Sequence, residues 1–198
     1  SSDLVYDKEA ELSTLGSADA NGYVYQFNLR NSMIFNGKAD VKNGKFKISF
    51  IVPRDISYRY GQGLINYYAT DYVEEANGNC DSFIIGGFYD EAFEDQNPPE
   101  IRMFIDDTLF VNGGITSENP ILLAFVNDES GINTTGAGIG HDIMATLTGP
   151  SKNAYCLNDY FVSEVDQPGK GSITFKMQDL SDGDYTLTLK VWDVYNNS

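Results

Sequence analysis

Polar and apolar residues alternate with a period of two in three places along the chain. In residues 45–52, Phe46, Ile48, Phe50 and Val52 fall on one face, and Lys45, Lys47 and Ser49 on the other. In residues 172–178, Ile173, Phe175 and Met177 alternate with Ser172, Thr174 and Lys176. In residues 184–192, Tyr185, Leu187, Leu189 and Val191 alternate with Thr186, Thr188 and Lys190. This period places every second side chain on one side of an extended chain, so each segment predicts a half-buried antiparallel strand. Two short apolar runs, residues 83–88 and 121–126, predict more deeply buried strands, and residues 101–105 a further one. Turn pairs punctuate these segments at Asn43-Gly44, Asn77-Gly78, Pro168-Gly169 and Asp182-Gly183. No segment keeps a helical period over three turns, so the expected class is all-β.

The patterns also recur in order. Val5-Tyr6-Asp7 matches Val126-Asn127-Asp128, residues 44–50 match residues 171–177, and residues 64–71 match the strand that ends at Trp192-Asp193. Matches in one order at a similar spacing favour a duplication. The expected architecture is therefore two tandem immunoglobulin-like antiparallel β-sandwich domains, residues 1–92 and 101–198. Residues 93–100 are read as an exposed acidic connector stiffened by Pro98-Pro99. The copies are out of phase with the chain ends, which predicts a border strand missing at each end. An edge left open in this way is expected to pair with the neighbouring domain or with a second copy. Ser1 carries no leader pattern, so the chain is expected to be a mature or cut piece.

Composition narrows the partners. The 198 residues hold 29 Asp and Glu against 13 Lys and Arg, a formal charge of −16. Binding to nucleic acid or anionic lipid depends on basic residues, so both are excluded as expected partners. No apolar run approaches the ~20 residues that span a bilayer as a helix, so no direct membrane insertion is expected. The two cysteines, Cys80 and Cys156, do not make a disulfide scaffold or a metal motif. One histidine, His141, leaves few routes to hydrolytic chemistry within the chain.

The densest chemistry lies in residues 128–142, where glycines and small polar residues surround Asp128, Asn133, His141 and Asp142. The spacing Gly136-x-Gly138-x-Gly140 differs from a dinucleotide fingerprint. Asp128, Asn133 and Asp142, joined by Asp193 and Asn196, supply hard oxygen ligands of the kind calcium takes. The same residue types are also ordinary turn formers, which requires no ion. His141 reads as a locally bonded loop residue, the cysteines as buried or free thiols, and Trp192 as an interdomain contact or a stacking platform.

The stretch from Asp182-Gly183 to Asn196-Asn197 resembles the closing hairpin of bacterial immunoglobulin-like domains. Four segments together resemble the region downstream of the catalytic domain in type IX secretion sortases of the gingipain-like cysteine peptidase family. They are Phe50-Ile51-Val52-Pro53-Arg54-Asp55-Ile56, Ser130-Gly131-Ile132-Asn133 with Gly138-Ile139-Gly140-His141-Asp142, Leu157-Asn158-Asp159-Tyr160, and the ending Trp192-Asp193. The resemblance implies a parent cysteine endopeptidase of a Bacteroidetes-type bacterium, held at the cell surface on the outer membrane. Such a parent trims secretion signals from exported cargo. It also implies that the catalytic Cys and His lie upstream. No residue of this chain matches them, so the chain is expected to be non-catalytic. Its expected partners are the upstream catalytic domain and outer-membrane secretion components. A cell-surface adhesin or carbohydrate-binding module is the rival reading. An enzyme acting through carboxylates is a third.

Overall fold

The computed structural model describes residues 1–16, 22–87, 95–135 and 140–198. Most of the acidic stretch before Asp95 and the glycines between Thr135 and Gly140 lie outside the described residues. The chain is all-β, with several antiparallel sheets and no α-helix among the described residues.

In the first half, β1 (Ser2–Tyr6) lies between β4 (Met33–Lys38) and β6 (Leu64–Thr70), and β7 (Glu75–Cys80) completes a four-stranded sheet. A hairpin of β2 (Ala10–Ser13) and β3 (Gln26–Leu29), and a short pair of β5 (Gly61–Gln62) and β8 (Ile84–Ile85), flank it. The core is small. Val5, Ile34, Phe35 and Ile85 are buried, with Ile48, Phe50, Ile56, Ile65 and Phe83 packed against them.

The second half is a 4 + 3 sandwich. One sheet runs β13 (Phe161–Glu164), β14 (Gln167–Lys176), β10 (Ile121–Asn127), β9 (Glu100–Ile105). The other runs β12 (Lys152–Cys156), β11 (Met144–Thr148), β15 (Thr186–Lys190). The predicted alternation holds here. Ile173 of β14 is sealed between the sheets beside Leu122, Ile143, Ala145 and Leu157, while Leu187 and Leu189 of β15 pack from the other side. Gly171 in β14 leaves room for the buried ring of Phe161, since a Cβ there would sit 2.5 Å from that ring.

Three sequence expectations change. The strand expected at residues 45–52 does not form: a bridge between Lys42 and Lys45 closes a turn through Asn43 and Gly44, both at positive φ, and the chain then runs outside any ladder. Ile48 and Phe50 still face the core, and Phe50 stacks on Phe35 at 4.2 Å, so alternation reported side-chain burial without a backbone neighbour. The repeat does not extend to pairing: β1 and β6 are neighbours, whereas their matched segments β10 and β15 lie in opposite sheets. The connector is not an exposed spacer at its end, because Asp95 is 5% exposed and Pro99 is buried. Its carboxylate is taken by Ser130, and its carbonyl by Asn197.

The halves meet along an edge. Lys38 of β4 bridges Val165, the Asp166 amide donates to the Lys38 carbonyl at 2.8 Å, and the Asp40 amide donates to the Asp166 carboxylate at 3.1 Å. A crevice between them has Phe35, Phe50 and Ile51 on one wall and Ile132, Phe161 and Val194 on the other.

Truncating Ile173 to Ala should cost about 2–5 kcal/mol, because it is fully buried between the two sheets. Val162→Ala, on an exposed face of β13, should cost less than about 0.5 kcal/mol. Urea denaturation of both variants checks the assigned faces.

Candidate functional site at the junction

The segment after Phe50 reaches across to the second half before the chain returns to β5 of the first. Pro53 is fully buried, which fixes the direction of the two residues that follow. The Arg54 amide donates to the Val194 carbonyl at 3.0 Å, and its guanidinium lies 4.8 Å from the Tyr195 ring centroid. Asp55 then presents a carboxylate that is 10% exposed to three donors of the second half. Asn133 Nδ2 donates at 2.8 Å, Asn196 Nδ2 at 3.0 Å, and His141 Nδ1 lies 2.8 Å away. Charge-assisted bonds of this kind are the strong class, and they offset the cost of removing a carboxylate from water.

Each donor is held by its own surroundings. Asn133 is fully buried, and its Oδ1 accepts from the Thr135 amide and hydroxyl. The His141 ring lies 4.3 Å from the indole of Trp192, whose other contact is the Lys190 ammonium at 4.0 Å. Asn196 stands at φ 71°, a left-handed turn position that Asn tolerates. Asp142, next to His141, accepts from Asn158 Nδ2 at 3.0 Å, and Asn158 Oδ1 in turn accepts from the Ile143 amide at 2.8 Å. Among the described residues, the hydrogen bonds of His141 go to Asp55, and both cysteines are free thiols.

A second cluster lies on the same C-terminal turn. Residues 131–133 pair with residues 192–194 through an Ile132–Asp193 bridge, the Asn133 amide on the Trp192 carbonyl, and the Val194 amide on the Gly131 carbonyl. This brings Asp193 beside the turn that Asp128 makes. Asp128 Oδ1 accepts from the Ser130 and Gly131 amides at 2.9 and 3.0 Å. Asp193 Oδ1 accepts from the Tyr195 and Asn197 amides at 2.9 and 2.7 Å, and its Oδ2 from Asn197 Nδ2 at 2.7 Å. Asp95 closes the group through its bond from the Ser130 hydroxyl. A carboxylate oxygen from each of Asp95, Asp128 and Asp193 lies within 4.8 Å of the others, and all three residues are buried. Burial, aided by the neighbouring charges of Asp193 and Asp95, pushes the Asp128 carboxyl up to about 6. The Ser130 hydroxyl and the Asn97 amide hold Asp95 below the usual carboxylate range.

Of the five oxygen ligands read from the sequence, Asp128 and Asp193 come together. Asn133 and Asn196 turn to Asp55, and Asp142 to Asn158. Asp95 and Asp55 were missed as site residues. Asp95 sat in an acidic run that reads as a solvated linker, while Asp55 was visible only as part of a family-like segment.

No family model matches the chain, and no curated protein matches it. Among solved structures, the whole chain is similar to part of dimeric latent PorU from Porphyromonas gingivalis, at 34% identity and a TM-score of 0.51. The chain spans 19% of the length of that protein.

Replacing Asp55 with Ala leaves the buried donor of Asn133 and the half-buried donor of Asn196 without their acceptor and should destabilise the junction by about 1–3 kcal/mol. Calorimetry should show the two halves unfolding less cooperatively in Asp55→Ala than in the unaltered chain, with Asp55→Asn intermediate.

Proposed function

We propose that this chain is a non-catalytic accessory C-terminal region of a gingipain-like cysteine peptidase, a type IX secretion sortase of the PorU kind. In this reading it supports or docks the upstream catalytic domain while cargo is processed at the cell surface, on the outer membrane. The observation that carries the reading is where the sortase-like segments lie in the fold. The similarity to PorU runs through the whole chain. The segments that resemble the sortase region supply Asp55, Asn133 and His141, which bond one another across the two halves, and Asp142 and Asn158, whose mutual bond holds the loop beside His141. The motif therefore serves a rigid connection between β units, as an accessory scaffold requires.

The fate of the one histidine supports the non-catalytic part. His141 is committed to Asp55 and packs at a tilt against Trp192, and its described hydrogen bonds reach no thiol or hydroxyl nucleophile. A Cys–His peptidase needs that contact. Outer-membrane secretion components are the further partners proposed, and the −16 charge makes nucleic acid an unsuitable one.

The test removes this region from the parent peptidase while keeping its catalytic domain. Cargo processing should fall strongly, and the separately produced 198-residue chain should bind the catalytic domain while cleaving no cargo peptide. Hydrolysis by the chain alone would overturn the reading. So would selective binding on a glycan array, which would favour an adhesin using exposed rings such as Tyr23 and Tyr25.

A further inference from the structure

We propose that Asp95, Asp128 and Asp193 form a calcium site that staples the start of the second half to its C-terminal turn. The inference stands independently of the peptidase reading. Three buried carboxylates with oxygens within 4.8 Å of one another repel strongly unless a positive charge lies among them. Among the described residues, none of the three forms an ion pair with Lys, Arg or His.

A second observation points to a ligand. Asp128 is 4% exposed, and its Oδ2 is buried with no hydrogen-bond donor among the described residues, although Oδ1 is engaged by the Ser130 and Gly131 amides. A buried carboxylate oxygen without a donor is costly, and a cation is the partner that satisfies it while neutralising its two neighbours.

The donor set selects the ion. All three side-chain ligands are hard oxygens, with no imidazole or thiolate, which disfavours zinc and copper. Calcium accepts oxygens at about 2.3–2.6 Å in irregular arrangements completed by water, whereas magnesium demands a near-ideal octahedron at about 2.0–2.1 Å. Each carboxylate here is already fixed by its own hydrogen bonds to backbone amides, hydroxyl or amide side chains, so the ligands cannot readily contract onto the smaller ion. Backbone packing keeps the site in place. The Asp128 amide donates to the Gly169 carbonyl at 2.8 Å, and a Cβ on Gly169 would lie 2.0 Å from the Asp128 carbonyl oxygen.

The site also reaches the junction. Asn197 bonds both Asp193 and the Asp95 carbonyl, and its neighbour Asn196 bonds Asp55. A cation that orders the turn of residues 193–197 therefore also orders the donors of Asp55.

The 198-residue chain, stripped with chelator, is melted against added calcium chloride and, separately, magnesium chloride. Calcium at a hundredfold excess over its Kd should raise Tm by about 5–10 °C, and magnesium at the same concentration clearly less. Asp128→Asn, which keeps shape and removes charge, should abolish the rise. Unchanged melting in millimolar calcium, a rise that Asp128→Asn retains, or an equal response to magnesium would overturn the proposal. If Asp128→Asn does not fold, terbium emission from the unaltered chain decides. Sensitisation by Tyr195, whose amide bonds Asp193, with displacement by calcium supports the site, and its absence overturns it.

Discussion

A carboxylate removed from water must find donors, and among the described residues those of Asp55 all come from the other half of the molecule. This single requirement shapes the junction. Asn133 and His141 come from the loop of residues 128–142 and Asn196 from the C-terminal turn, so their convergence on one acceptor fixes the relative positions of those two segments as well as the halves. The apolar crevice and the Arg54–Tyr195 contact add area around the bonds, but neither is directional enough to set the angle between units. The backbone bridge at Lys38 and Val165 supplies a second point of attachment, which resists the rotation that one point would allow.

The C-terminal turn connects this acceptor to the acidic cluster. Asp193 caps the turn through the Tyr195 and Asn197 amides, and the turn so formed aims Asn196 at Asp55 and Asn197 at the Asp95 carbonyl. Charge is therefore arranged in two different ways within one loop cluster. Asp55 is surrounded by donors, whereas Asp95, Asp128 and Asp193 face one another. Asp128 bears the cost of the second arrangement, as its raised carboxyl pKa records.

A scaffold reading fits this distribution of effort. Buried Asn133 bonds Asp55 across the junction, and buried Asp193 shapes the turn that aims Asn196 at the same carboxylate. The larger core lies in the second half, whose two sheets seal Leu122, Ile143, Leu157 and Ile173 completely. The first half, with four buried core residues, gains rigidity from contact with it. Small cores are marginal alone, so the junction is a source of stability as well as of geometry.

The all-β class and the core-facing sides of β10, β14 and β15 were legible in the sequence, because alternation is a local property. Residues 45–52 show the limit of that reading: Ile48 and Phe50 pack as alternation requires, but a strand also needs a neighbouring backbone, and none is supplied there. The internal repeat does not extend to pairing for the same reason, since similar strands take partners in different sheets. Asp128 and Asp193 could be named as oxygen ligands from residue type. Their union with Asp95, and the departure of Asn133 and Asn196 to Asp55, depended on which distant loops the two halves bring to one end. Residue chemistry is written along the chain, whereas the distance between residues far apart in it is set only when the sheets and their junction close.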